Sequence, residues 1–134
     1  MADIEDERVR NALATDLTID IITTGARSGL PRETEIWFTR VDGEIYICGT
    51  PAEDGGVGPR FPRDWLANMK AHPEFIFRLK ESVVAELPAR AVIVTDAQER
   101  RRVYSAPEAG WYLEQTGSLD RLVADAPLVR VEFV

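Results

Sequence analysis

Two arginines, a serine hydroxyl, two glycines and a proline fall within ten residues: Thr23-Thr24-Gly25-Ala26-Arg27-Ser28-Gly29-Leu30-Pro31-Arg32. Glycine admits positive φ and close backbone approach, so the N–H groups of such a turn can converge on an anion. Arginine adds a planar fork of donors that grips phosphate or carboxylate through paired hydrogen bonds. The segment reads as an anion clamp built on Gly25, Arg27, Ser28, Gly29 and Arg32. The plainer alternative is a solvated turn whose arginines answer an acidic surface. Cys48 is the only cysteine and His72 the only histidine, which excludes an internal disulfide, a thiolate cluster and a multi-histidine metal centre. His72 stands at an expected helix end, where the dipole favours it without a catalytic task. Cys48 lies inside an expected strand and reads as a small buried hydrophobe.

The elements that must position the clamp are mostly strands. Leu17–Thr24 is β-branched and partly alternating, and Glu33–Arg40 alternates again. Asp42-Gly43 marks a hairpin into a strand over Glu44–Gly49. Thr50–Phe61 is a loop with two prolines and three glycines, long enough to suggest function. A helix follows over Pro62–Ala71, with Phe61, Trp65 and Met69 as a core-facing stripe. Phe75–Lys80 and Val83–Val94 are the next strands, with Pro88 demanding an edge or a bulge. Asp96 and Glu99 have the spacing of a capping box for a helix to about Tyr104. Helical pieces over Pro107–Gln115 and Leu119–Ala124 precede a last strand over Leu128–Val134. Asp3–Ala14 is a polar helix or flap. Six short strands, mostly antiparallel, close on themselves to hide their edges, so the expectation is a small barrel with inserted helices.

Length and composition agree. The chain has 134 residues, 45% hydrophobic and 29% charged, with a net charge of −7. This predicts one domain over residues 1–134, with 1–15 as its helix or flap. The acidic balance argues against nucleic acid and anionic membranes as partners. No apolar run has spanning length and no signal-peptide core opens the chain, so a cytoplasmic location is expected. Val129, Val131 and Phe133 alternate and are the expected face of a homodimer; a monomer covered by the N-terminal helix is the alternative.

Thr23–Arg32, Glu44-Ile45-Tyr46-Ile47, Pro62–Met69 with Ala71-His72-Pro73, and Pro127-Leu128-Val129 resemble motifs of the deazaflavin-dependent nitroreductase family, over residues 17–134. The resemblance implies a six-stranded split β-barrel like that of FMN-binding flavin reductases. It implies coenzyme F-420, a deazaflavin with a phosphate and an oligoglutamate tail, and hydride transfer to a quinone, a nitroaromatic or another electrophile. Carried over by position, Arg27, Ser28 and Arg32 would hold the phosphate and the start of the tail. Thr50 and Pro51 would flank the ring, and Trp65 and Asn68 would support that loop. Glu33 and Glu35, next to the clamp, set negative charge against such a tail.

A coenzyme-borne hydride needs no strong acid–base pair and no protein nucleophile. Developing negative charge would meet backbone donors at Gly49-Thr50 or a hydroxyl of Tyr104 or Tyr112, the candidate catalytic residues. Trp37, Tyr104, Trp111 and Tyr112 either line an acceptor pocket or fill core. A non-catalytic ligand-binding protein of the same fold and an FMN-dependent reductase stand as alternatives.

Overall fold

The computed structural model describes residues 3–51 and 64–134. Most of the expected Thr50–Phe61 loop, with Glu53, Asp54 and Arg60, lies outside the described residues, as do Pro62 and Arg63.

Among the described residues, seven strands form one antiparallel sheet: β1 (Thr18–Thr24), β2 (Pro31–Trp37), β3 (Thr39–Val41), β4 (Glu44–Cys48), β5 (Glu74–Leu79), β6 (Ala85–Ile93) and β7 (Leu128–Phe133). Their order is β2-β1-β5-β6-β7-β4-β3. The six expected strands become seven because the Glu33–Arg40 run is divided at Phe38. Up to Trp37, which lies opposite Thr18, the chain pairs with β1; from Thr39, opposite Tyr46, it pairs with β4. The two outermost strands of the sheet are therefore joined by one residue. A sheet with its edges that close must curl until they meet, which closes the barrel. Phe38 turns inward at the corner, 3% exposed.

Period-2 alternation sorts the side chains into two cores. Ile45 and Ile47 of β4 face the barrel interior with Ile19, Ile21, Phe77, Leu79 and Val129. Tyr46 and Cys48 face the other way, beneath α3 (Ala97–Ser105), α4 (Gly110–Thr116) and α5 (Leu119–Asp125). A short 3₁₀ turn, Pro107–Ala109, joins α3 to α4. Helix α1 (Glu7–Thr15), capped by Asp6, buries Val9, Ala12 and Leu13 in the barrel core. Val129 and Val131 point into that core and Phe133 packs against it. The face expected to meet a partner copy is thus used by the barrel itself.

Local chemistry explains the joints. Asp42 and Gly43 both have positive φ, 53° and 80°, as a type I′ hairpin requires. Pro88 lies in a central strand; its carbonyl accepts Val134 N–H at 3.1 Å just past β7, so its absent donor falls at the end of the β6–β7 ladder. Asp96 caps α3 through Glu99 N–H; the Glu99 carboxylate turns instead to Tyr46 and Arg130.

The register also assembles one end of the barrel. There β1, β4 and β6 end and β2, β5 and β7 begin. The 25–30 turn, Gly49-Thr50-Pro51, helix α2 (Asp64–Ala71) leading into β5, and Pro127 all emerge at that end.

Candidate functional site

The turn between β1 and β2 is a tight, internally bonded loop. Gly25 N–H donates to Leu30 O at 2.8 Å and Gly29 N–H to Gly25 O at 2.9 Å. Leu30 N–H donates to Ser28 Oγ at 3.2 Å. A Cβ on Gly25 would lie 2.4 Å from Ser28 Oγ and displace the hydroxyl that Leu30 N–H bonds, and Gly29 has φ +69°, which favours glycine. Among the described residues, the N–H groups of Arg27 and Ser28 and the side chains of Arg27 and Arg32 have no partner. Both arginines are exposed.

Asn68 of α2 fixes this loop. Its Oδ1 accepts Ala26 N–H at 2.8 Å, and its Nδ2 donates to Thr23 Oγ1 at 3.1 Å. Asn68 and Thr23 are both buried. Both hydrogen bonds go to the first turn; most of the loop after β4, which the resemblance has Asn68 support, lies outside the described residues. Trp65, one turn earlier on α2, packs into the barrel core with Met69. No local pattern signals the role of Thr23, which is one threonine among several in β1.

At the end of β4, Thr50 is half-buried and Pro51 buried. Tyr104, fully buried, accepts Gly49 N–H at 3.2 Å and reaches the carbonyls of Gly49 and Pro127. It pins the exit of β4 to the entry of β7. Burial holds its hydroxyl protonated well above the ordinary tyrosine range. Tyr112 is pushed up to about 12, mainly by burial. Burial likewise pushes the Cys48 thiol up to about 12.

The four candidate aromatics form a ladder from core to surface. Tyr104 meets Tyr112 edge-on with centroids 6.2 Å apart, Tyr112 meets Trp111 at 5.1 Å, and Trp111 meets Trp37 at 5.4 Å. The tyrosines fill core, whereas Trp37 and Trp111 are 41% and 46% exposed. A cavity of about 420 Å³ opens beside α2, lined by Leu66, Lys70, Ile93, Val123 and Leu128 among others. Arg100 borders it, buried without a carboxylate. Its guanidinium donates to the carbonyls of Val94, Leu122, Val123 and Ala126, closing the C-terminal end of α5. In the sequence it sits in Arg100-Arg101-Arg102 and looks like solvated charge.

The acidic neighbours of the clamp are each paired, although two cations serve four carboxylates. Arg78 holds Glu33 at 3.0 Å and Glu86 at 3.0 Å, and Lys80 holds Glu35 and Asp20. Glu33 and Glu35 each face a cation, and the cluster as a whole stays negative beside the turn.

The family model of F420H(2)-dependent quinone reductases matches residues 7–123. A search of curated proteins finds no match. Among solved structures, an F420-H2 dependent reductase is 21% identical over 87% of this chain and 95% of its own, with a TM-score of 0.52. A protein related to general stress protein 26, of the pyridoxinephosphate oxidase family from Clostridium acetobutylicum, is 10% identical over 92% and 80%, with a TM-score of 0.64. A third structure, described as a domain-swapped dimer, is 25% identical over 87% and 81%, with a TM-score of 0.50. The first two are likenesses of fold, and they make the curled sheet a split barrel.

Proposed function

Because this chain belongs to the F420H(2)-dependent quinone reductase family, we propose that it passes a hydride from reduced coenzyme F-420 to a quinone, a nitroaromatic or a similar small electrophile. It is an oxidoreductase and its cofactor is coenzyme F-420. That coenzyme supplies the hydride; the protein binds, orients and excludes water.

The observation that carries the reading is the state of the first turn. Its inner N–H groups are bonded, while those of Arg27 and Ser28 and two unpaired guanidiniums remain for an anion. That donor set suits a phosphate and an acidic tail. In this reading Arg27, Ser28 and Arg32 hold the anion, and Gly25 and Gly29 keep the turn's shape. Asn68 fixes the turn from α2. Thr50 and Pro51 flank the ring. Trp65 supports α2 from the core. Tyr104, whose hydroxyl is committed to Gly49 and Pro127, positions the Thr50 turn, and Tyr112 supports it through the ladder. The exposed Trp37 and Trp111 offer flat apolar faces to an aromatic acceptor. A homodimer is part of the proposal, favoured by the relative described as a domain-swapped dimer. Its interface would lie away from Val129 and Val131. Sedimentation tests it, since a lone chain has a mass of 15.0 kDa.

The deciding experiment is steady-state oxidation of reduced coenzyme F-420 with a quinone and then a nitroaromatic. Acceptor-dependent turnover supports the proposal. Tight binding without turnover on any acceptor would make the chain a coenzyme-binding protein, and a yellow, FMN-loaded preparation would make it a flavin reductase.

A further inference from the structure

In a chain with 23 acidic and 16 basic residues, several arginines hold a carboxylate and Arg100 is taken up by backbone carbonyls. Four other arginine side chains, without a partner among the described residues, sort by place. Arg27 and Arg32 flank the anion turn. Arg10 of α1 and Arg40 of β3, whose side chains make no ion pair or hydrogen bond among the described residues, line one cavity of about 690 Å³ at the opposite end of the barrel. Arg40 is near the acidic hairpin residues in sequence, yet Asp42 goes to Arg102 and Glu44 to Arg130. Leu13, Ile45 and Phe133 give the cavity an apolar floor, and Glu7 is the one carboxylate among its described lining residues.

We propose that this cavity binds an amphiphilic monoanion, a carboxylate on a short alkyl body. Two guanidiniums against one carboxylate leave one net positive charge, which suits a single anionic head. The floor of Leu13, Ile45 and Phe133 takes the alkyl body out of water. The site lies across the barrel from the clamp and is independent of the coenzyme.

Octanoate is the probe and octanol its neutral control. In a ¹⁵N NMR titration of the whole chain, octanoate should shift the amides of Arg10, Leu13, Gly43 and Phe133 saturably. Octanol should bind at least tenfold more weakly. Arg10→Gln and Arg40→Gln should each weaken octanoate at least tenfold while leaving coenzyme F-420 affinity unchanged. Both arginines are exposed, and the wild-type titration stands even if a variant fails to fold. Equal binding of octanoate and octanol, shifts confined to residues 25–32, unchanged affinity in both variants, or binding only to anionic vesicles would each overturn the proposal.

Discussion

Arg32 has no structural task that its removal would disturb: it is exposed and makes no ion pair. A charge-assisted hydrogen bond to an anion contributes about 1.5–3 kcal/mol. Arg32→Ala and Arg27→Ala are therefore each expected to weaken coenzyme F-420 binding by roughly tenfold to a hundredfold. Their melting temperatures should stay near wild type, as for most surface substitutions. Fluorescence titration and calorimetry check both halves; unchanged affinity would remove the clamp. Tyr104 behaves oppositely. Tyr104→Phe strips a buried hydroxyl from Gly49 and Pro127, at a cost of about 1–3 kcal/mol. Turnover should fall because the Thr50 turn loosens, and a melting point equal to wild type would contradict that role. These residues differ in how far the sequence reveals them. The clamp is legible because donors and glycines crowd one turn. Tyr104 is legible only as an aromatic, since its partners lie 55 and 23 residues away. Arg100 is hidden because a buried arginine and a solvated one look alike within Arg100-Arg101-Arg102.

Between elements, the coupling that matters for the site is Asn68 of α2 against the β1–β2 turn. It joins segments 42 and 45 residues apart through one amide. Asn68→Ala leaves Ala26 N–H and Thr23 Oγ1 without their partner in a closed space, a loss of about 1–3 kcal/mol. It should lower both the melting temperature and coenzyme affinity, whereas Arg32→Ala lowers affinity alone. Affinity unchanged in a folded Asn68→Ala protein would show that the turn keeps its shape without α2. The helix itself was legible from its apolar stripe, and the strands from alternation and the Asp42-Gly43 turn. The seventh strand was not, because Glu33–Arg40 alternates without a break. Only the pairing, β1 on one side of Phe38 and β4 on the other, divides it. Pro88 signals an edge or a bulge, yet it sits in central β6, at the end of that strand's ladder with β7.

For the whole molecule, the two-core arrangement sets how stability responds to pH. Burial works against ionisation of Glu99, but hydrogen bonds from Arg130 and Tyr46 outweigh it and hold its carboxyl below the ordinary 4.5. A lowered folded pKa gives stability that is present above the unfolded value and lost as pH falls through the folded one. On the alkaline side the signs reverse. Burial raises the Cys48 thiol from 9.0 to about 12 and the Tyr112 hydroxyl from 10.0 to about 12. The unfolded chain sheds these protons first, so their contribution is full below pH 9 and is lost between 9 and 12. Each group adds a slope of at most about 1.4 kcal/mol per pH unit inside its window. Because the thiol's window opens one unit below the tyrosine's, the fall from pH 9 to 10 belongs chiefly to Cys48. Urea unfolding should therefore give a free energy that is level from pH 7 to 9 and declines beyond it. Cys48→Ala, less stable throughout for want of a packed sulfur, should be flatter between 9 and 10 than wild type and should keep most of its turnover. A wild-type profile level to pH 11, or a variant with the same slope, would mean that the thiol beneath α3–α5 is open to water.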